Sequence, residues 1–123
     1  MKSLFSVAGK TVLITGGSRG IGAMLAEGFV RSGATVFISA RKAGELEDCR
    51  ARLAKLGDCR SLIADLSTTA GVQALVDAVA QHTDTLDVLI NNAGASWGAP
   101  LDQFPESGWD KVMNLNLKSL FFL

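Results

Sequence analysis

The sequence predicts an α/β fold in which a doubly wound parallel sheet is covered by helices on both faces. Predicted strands alternate four times with helical patterns, an arrangement typical of parallel strands joined by helices. A glycine-rich turn joins the first run to the first helix, and no linker or internal repeat divides residues 1–123. Because crossovers between parallel strands are right-handed, the favoured strand order is 3-2-1-4 within a single domain.

The first strand is predicted at Thr11–Ile14, a run with the composition of a buried parallel strand. The stretch Thr15–Gly22 follows it and leads into a helix. Apolar or small residues recur there at helical spacing, at Ile21, Met24, Leu25, Gly28 and Phe29. Arg31 and Gly33 end this helix, because a basic last turn and a following glycine are common stop signals.

The later strands are predicted at Thr35–Ser39, Arg60–Ala64 and Leu86–Ile90. An amphipathic helix at Ala43–Leu56 separates the second strand from the third. The next helix is capped by Thr68 or Thr69, and its apolar stripe is predicted at Val72, Leu75, Val76 and Val79.

The last helix follows a loop at Ala95–Pro105 and is predicted to begin near Gly108, with Ser107 as its cap. It is apolar on nearly every side toward Leu123, so it needs cover from several directions. The fourth strand would form a sheet edge although its sequence is typical of a fully buried strand. We therefore expect an incomplete sheet whose fold continues past Leu123, with homodimer or homotetramer contacts through the last helix.

The composition restricts the classes of function. The 12 basic and 12 acidic side chains cancel, which removes the electrostatic basis for binding nucleic acid or an anionic membrane. No apolar run approaches the roughly 18–20 residues of a membrane span, and the N-terminus lacks a secretory signal pattern, so we expect a cytoplasmic protein. Cys49, Cys59 and His82 are the only residues of their types, which predicts two reduced core thiols and no metal site.

The glycine-rich stretch predicts a phosphate site. A turn from strand to helix leaves backbone N–H groups unpaired, and the positive end of the helix dipole adds to their attraction for an anion. Gly16, Gly20 and Gly22 supply the backbone angles and the close approach that a pyrophosphate requires. An ordinary glycine-rich loop is the weaker interpretation.

The end of the second strand favours NADP over NAD. An acidic residue about 20 residues past the glycines normally binds the adenosine 2′-hydroxyl, but Ala40 and Arg41 stand at that position. A guanidinium group is suited to a 2′-phosphate, which it can bind bidentately. Arg19, inside the glycine loop, could approach the same phosphate, whereas Glu45 lies too far into the next helix to replace the missing acid.

Three further positions are candidates at strand ends or on the last helix. Asp65 can accept a hydrogen bond from an adenine amino group with Leu66 over the ring, or it can simply form a turn or cap a helix. The segment Asn91–Gly94 offers small residues for a flat nucleotide and amides that can tie neighbouring strand ends together. Asn116 shares a stripe with Trp109, and a buried amide there requires a partner, which is either structural or part of a catalytic site.

Together these residues resemble the short-chain dehydrogenase/reductase family. The matching pieces follow family order and are Thr15-Gly16-x-x-x-Gly20-Ile21-Gly22, Asp65-Leu66, Asn91-Asn92-Ala93-Gly94 and Asn116-Leu117. The resemblance implies a Rossmann-type sheet and an oxidoreductase that moves hydride between a nicotinamide and a carbonyl or alcohol. Within the family, the segments most similar to bacterial NADPH-dependent 3-oxoacyl reductases, the rhamnolipid-synthesis type in particular, are Ser18–Gly22, Ser39–Arg41 and Asn92–Gly98.

The resemblance also implies individual roles. NADP(H) would be held by Gly16, Ser18, Arg19, Gly20, Ile21, Gly22, Arg41, Asp65, Leu66, Asn92, Ala93 and Gly94. Asn116 falls at the family's catalytic asparagine, which positions a water in the proton relay. The partner would be a small-molecule carbonyl substrate, with a 3-oxoacyl thioester as the expected class.

One departure from the family is large. Its members carry a catalytic Ser and a Tyr-x-x-x-Lys farther along the chain, whereas this sequence contains no tyrosine. Since that tyrosine is the general acid, residues 1–123 alone are not expected to turn over. We interpret them as the N-terminal, cofactor-binding half of such an enzyme. The alternatives are a non-catalytic nucleotide-binding module and another class of enzyme on a similar sheet, such as a methyltransferase that binds S-adenosylmethionine.

Overall fold

The computed structural model describes residues 3–123 and contains one four-stranded parallel sheet. The strands are β1 (Thr11–Thr15), β2 (Thr35–Ala40), β3 (Cys59–Ile63) and β4 (Val88–Ile90). The longer helices are α1 (Gly20–Arg31), α2 (Ala43–Ala54), α3 (Thr69–Ala80) and α4 (Glu106–Met113). The sheet order is β3-β2-β1-β4, so the predicted order is confirmed.

The core consists of two apolar layers, one on each face of the sheet. Side chains alternate along β1, so Val12 and Ile14 belong to the layer under α1 and α2, whereas Leu13 belongs to the layer under α3. In register, Val12 lies beside Val36 of β2 and Val88 of β4. The strands at the centre of the sheet are therefore covered on both faces, which explains their mainly apolar sequences.

Large apolar side chains of α1 lie on its exposed face. Ile21 and Met24 are 69% and 73% exposed, whereas the face against the sheet is formed by Gly22, Ala23, Ala26 and Val30. Small residues on this face let the helix axis approach the sheet closely, which directs the larger apolar side chains outward. The helix predicted from this spacing is confirmed, and Ile21, Met24 and Leu25, which contribute to the spacing, lie outside the face against the sheet.

The last helical region is also more complex than one helix. α4 begins at Glu106, directly after Pro105, so Ser107 lies inside the first turn and the prediction that it caps the helix was wrong. A π-helical segment at Asn114–Lys118 interrupts the region before a short α5 (Ser119–Phe122). A 3₁₀ turn at Leu101–Gln103 lies in the preceding loop.

The outer surfaces of the fourth strand and the last helix are incompletely covered. Among the described residues, β4 pairs only with β1, and Leu89 is 38% exposed. Apolar side chains at the end of the chain are exposed as well, namely Leu117, Leu120, Phe121 and Phe122. Within residues 3–123, no helix combines the length and the apolar character needed to cross a membrane.

The two cysteines are free and buried in the layer under α1 and α2, as predicted. Burial, and to a smaller extent nearby Cys49, raises the pKa of the Cys59 thiol to about 11. Cys59 is therefore a neutral, apolar core side chain at physiological pH.

Candidate functional site

A cleft of about 550 Å³ opens at the carboxyl ends of the four strands. This is the edge where ligands bind in open parallel sheets, since β1 and β4 flank the point at which the strand order reverses. Its walls come from the glycine loop, from the segments after β2 and β3, from Asn92–Ser96 after β4, and from α4. The predicted site residues that line it are Gly16, Ser18, Arg19, Gly20, Arg41, Asp65, Leu66, Asn92, Ala93 and Gly94.

The glycine loop has backbone geometry that side chains rarely adopt. Gly16 and Gly20 have φ values of +64° and +57°. A Cβ on Gly20 would meet nothing within 4 Å, so this glycine leaves open space in the cleft. A Cβ on Gly16, in contrast, would lie 3.0 Å from the Cα of Ala93. The loop therefore packs against the segment after β4 and remains open toward the cleft.

The beginning of α1 leaves its backbone donors available. Arg19 precedes the helix in extended conformation, and no side chain within the described part of the sequence caps this end. The first turn of α1 also lacks an acidic residue. Unpaired N–H groups and the positive end of the helix dipole thus meet at the cleft, which is the arrangement that binds phosphates.

Thr15 ties the ends of β1 and β4 together. It is 1% exposed, and its Oγ1 accepts hydrogen bonds from the backbone N–H groups of Asn92 and Ala93, each at 3.0 Å. The same hydroxyl donates to the carbonyl oxygen of Ile90 at 3.4 Å. Asn92 adds another hydrogen bond between the two segments, because its Nδ2 donates to the Gly16 carbonyl at 3.0 Å. The expectation that this amide ties neighbouring strand ends together is confirmed.

Replacing Thr15 by Val should destabilise the chain by about 2 kcal/mol, because two partly buried N–H groups would lose their acceptor at unchanged side-chain volume. Thr15→Ser keeps the hydroxyl and should cost about 1 kcal/mol or less. Urea unfolding followed by circular dichroism measures both variants. Equal losses for Val and Ser would contradict the assignment of Thr15 as the connection between the two strands.

Two arginines line the cleft without an ion-pair partner. Within residues 3–123, neither Arg19 nor Arg41 has a carboxylate within 4.0 Å, so both guanidinium groups are available to an anion. Glu45 also lines the cleft, although it was expected to lie too far into the next helix to replace the missing acid. It lies in the first turn of α2 and pairs with Lys42 at 4.0 Å.

Asp65 forms a turn just beyond β3. Its Oδ1 accepts a hydrogen bond from the backbone N–H of Ser67 at 3.0 Å, in agreement with the turn interpretation. Hydrogen bonds from Ser67 hold the pKa of the Asp65 carboxyl below its ordinary value, and the charge of Arg41 lowers it further. Asp65 is consequently an ionised acceptor at the cleft wall at neutral pH. Leu66 lines the same wall and is otherwise buried in the core.

Two of the predicted cofactor residues do not line the cleft. Ile21 points to the exposed face of α1 described above. Gly22 is buried, and a Cβ there would overlap the Gly16 carbonyl oxygen and lie 2.6 Å from Asn92 Nδ2. The absence of a side chain at Gly22 therefore allows the helix, the loop and the segment after β4 to come together.

Asn116 was predicted to be buried, but the structure places it at an exposed position. It lies in the π-helical segment, and its amide group forms two hydrogen bonds with the backbone of Ala95. The Ala95 N–H donates to Oδ1 at 2.8 Å, and Nδ2 donates to the Ala95 carbonyl at 2.9 Å. The amide thus fixes the segment that forms the wall of the cleft, although Asn116 is not itself a lining residue.

Comparison with known proteins identifies the family. The family model described as short chain dehydrogenase matches residues 10–123. The chain belongs to the short-chain dehydrogenase family. It is 51% identical over 121 residues to the rhamnolipids biosynthesis 3-oxoacyl-[acyl-carrier-protein] reductase of Pseudomonas aeruginosa, covering 98% of this chain and 47% of that protein. It is 37% identical to the gluconate 5-dehydrogenase of Gluconobacter oxydans, with the same coverage of 98% and 47%.

Solved structures of short-chain dehydrogenases show the same fold. The Pseudomonas aeruginosa RhlG/NADP active-site complex superposes with a TM-score of 0.93 at 51% identity, over 99% of this chain and 48% of that one. The L-sorbose reductase of Gluconobacter frateurii, complexed with NADPH and L-sorbose, gives a TM-score of 0.91 at 30% identity, over 96% and 46%. The chain spans about half the length of the curated relatives it matches.

Several lining residues of this short-chain dehydrogenase were not predicted. Most lie at the end of β2 or in the segments that follow β2, β3 and β4, and these are Ser39, Lys42, Ala64, Ser67, Ala95 and Ser96. Their position at strand ends was the only available signal. Lys111 and Leu115 come from the last helical region and lie four residues apart, so they share a helix face. The Lys111 ammonium also lies 5.5 Å from the centre of the Trp97 ring.

Proposed function

We propose that the cleft binds NADP(H) and that these residues form the cofactor-binding half of an NADPH-dependent reductase. The observation that carries the proposal is the open glycine loop at the start of α1, beside two arginines; within residues 3–123 the helix start has no side-chain cap and neither arginine has an ion-pair partner. The NADP and NADPH complexes of the similar structures support the same choice of cofactor.

The residues present fit the parts of this dinucleotide. The loop Gly16–Gly20 offers N–H groups and space to a pyrophosphate, since Gly20 has no neighbour where a side chain would be. Arg41 and Arg19 are suited to the adenosine 2′-phosphate. Asp65 can accept from the adenine amino group beside Leu66, and the small residues Ala93 and Gly94 leave room for a flat ring.

The proposed chemistry is reduction of a carbonyl. The reduced nicotinamide, when bound, supplies the hydride. In this proposal the residues of the chain orient the cofactor, and Asn116 has the catalytic role of its family, in which it positions a water for proton transfer. The two hydrogen bonds between its amide and the backbone of Ala95 fix Asn116 beside the cleft wall. The sequence contains no tyrosine, so the general acid of the family is not among these residues.

The proposed substrate is a 3-oxoacyl thioester. The support is the 51% identity to the Pseudomonas aeruginosa 3-oxoacyl reductase, which implies a place in lipid metabolism. Another ketone or alcohol is the alternative, since relatives named for gluconate are 37% identical. We further propose a cytoplasmic homodimer or homotetramer with contacts through the last helix, where exposed Leu120, Phe121 and Phe122 offer an apolar surface.

Titration of the chain with NADPH tests the proposed cofactor directly. Trp97 and Trp109 are its two tryptophans, and Trp97 lies against Lys111 of the cleft wall, so their fluorescence is a suitable signal. We expect saturable binding of NADPH, weaker binding of NADH, and no binding of S-adenosylmethionine. Binding of S-adenosylmethionine without NADPH would favour the methyltransferase alternative and contradict the proposal.

A further inference from the structure

Cys49 connects α2 to the glycine loop. Its side chain is 4% exposed, and its Sγ lies 3.5 Å from the carbonyl oxygen of Gly17, thirty-two residues earlier in the chain. The thiol is the donor in this contact, because a carbonyl oxygen can only accept. Arg52 Nη2 lies 3.8 Å from the same sulfur, and Nη1 of the same guanidinium group donates to Glu27 of α1 at 3.3 Å. The sulfur of Cys49 therefore contacts both the loop and the side chain of Arg52.

Gly17 itself is fixed from a second direction. Its N–H donates to the Ser39 carbonyl at the end of β2, at 3.1 Å. A Cβ on Gly17 would lie 2.8 Å from the Cβ of Ile38, so the backbone of the loop packs directly onto β2. Both polar groups of Gly17 are thus bonded to the protein interior and neither is free for a ligand.

The orientation of Gly17 determines that of the next donor. In a planar trans peptide, the carbonyl of one residue and the N–H of the following residue point in opposite directions. Because the Gly17 carbonyl points inward to Cys49, the N–H of Ser18 points away from the core. Ser18 lines the cleft, so this N–H lies on the ligand side of the loop.

We infer that Cys49 is a positioning residue for the pyrophosphate loop, holding the Gly17–Ser18 peptide so that the Ser18 N–H faces a bound anion. The inference rests on the proposed binding of NADP(H). It assigns a role in cofactor affinity to a thiol that is otherwise an ordinary core side chain. Both NADPH and NADH carry the pyrophosphate, so Cys49 affects the two cofactors equally.

Cys59 provides a matched control. It is a second free cysteine in the same apolar layer and is 5% exposed, but it lies at the start of β3, away from the glycine loop. Loss of its sulfur therefore removes core packing without removing a bond to the loop. Comparing alanine variants at the two positions separates packing from positioning.

The experiment measures the Kd values for NADPH and NADH on the full chain with four variants. Cys49→Ala and Cys49→Val remove the donor and should raise both Kd values about threefold, since a thiol is a weaker donor than an amide, whose hydrogen bond is worth about fivefold. Cys49→Ser keeps a donor and should remain within about twofold of the wild type. Cys59→Ala should leave both Kd values unchanged while lowering stability in urea.

The outcomes are distinguishable. Equal Kd values for the wild type, Cys49→Ala and Cys59→Ala would overturn the inference and leave Cys49 as core packing only. If Cys49→Ala does not fold, Cys49→Ser is compared with Cys49→Val. Equal Kd values for those two variants would likewise overturn the inference. A wild-type chain that binds neither nucleotide would overturn the proposed function and the inference with it.

Discussion

Arg41→Asp is expected to raise the Kd for NADPH about 100-fold at low ionic strength while changing the Kd for NADH less than about threefold. Charge-assisted hydrogen bonds to a phosphate contribute about 1.5–3 kcal/mol, and an aspartate adds repulsion of the 2′-phosphate. The rise in Kd is expected for NADPH and not for NADH, because NADH presents a hydroxyl where NADPH presents the phosphate. Fluorescence titration of the variant with each nucleotide measures the two Kd values.

Lys10→Asp is the control for this variant. It makes the same change in charge at an exposed position before β1, at the opposite end of the strands from the cleft. We expect it to change neither Kd by more than about twofold at moderate salt, because exposed charges beyond about 10 Å are screened. Equal losses of NADPH and NADH affinity in Arg41→Asp would contradict the assignment of Arg41 to the 2′-phosphate.

Gly22→Ala is expected to destabilise the chain by about 3 kcal/mol or more and to abolish cofactor binding. The new Cβ would overlap the Gly16 carbonyl and lie 2.6 Å from Asn92 Nδ2, so α1 or the loop must move. Because Gly16 and Asn92 both line the cleft, the movement would also displace groups proposed to bind the dinucleotide. Urea unfolding and NADPH titration measure the two effects separately.

Gly28→Ala tests the same change of residue farther along α1. No atom lies within 4 Å of a Cβ at this position, so the substitution meets open space. Alanine is the better helix former by about 1 kcal/mol, and the variant should be slightly more stable than the wild type with unchanged binding. If Gly22→Ala behaved like Gly28→Ala, the close packing between α1 and the loop would be contradicted.

The topology could be predicted because it depends on local patterns and a general rule of handedness. Four short runs of strand type, separated by helical patterns, define the strands, and right-handed crossovers order them as 3-2-1-4. Parallel strands end at one edge, so the positions after each strand could be assigned to one cleft without knowing any contact. For that reason Arg41, Asp65 and Asn92 were correctly placed at the cleft wall.

Contacts between elements could not be read from spacing alone. The burial of Ala23 rather than Met24 depends on how closely α1 approaches the sheet, which the glycines of the loop determine. Asn116 was expected to be buried because regular helical spacing places it on an apolar stripe. The π-helical segment at Asn114–Lys118 and the two bonds to Ala95 place it at an exposed position instead.

Some residues that line or support the cleft could not be predicted from the sequence around them. Lys111 and Leu115 line it only because the last helical region lies beside the segment after β4. The bond between Cys49 and Gly17 joins residues thirty-two positions apart, and nothing in the sequence around either residue indicates it. Long-range packing determines such positions, so they require the three-dimensional arrangement.

The most direct test of the central claim is a crystal structure of the chain with NADP⁺ bound. We expect the pyrophosphate at the loop Gly16–Gly20 and a 2′-phosphate oxygen within about 4 Å of the Arg41 guanidinium group, the usual limit for an ion pair. A nucleotide bound elsewhere, or one in this cleft whose 2′-phosphate contacts neither Arg41 nor Arg19, would contradict the account.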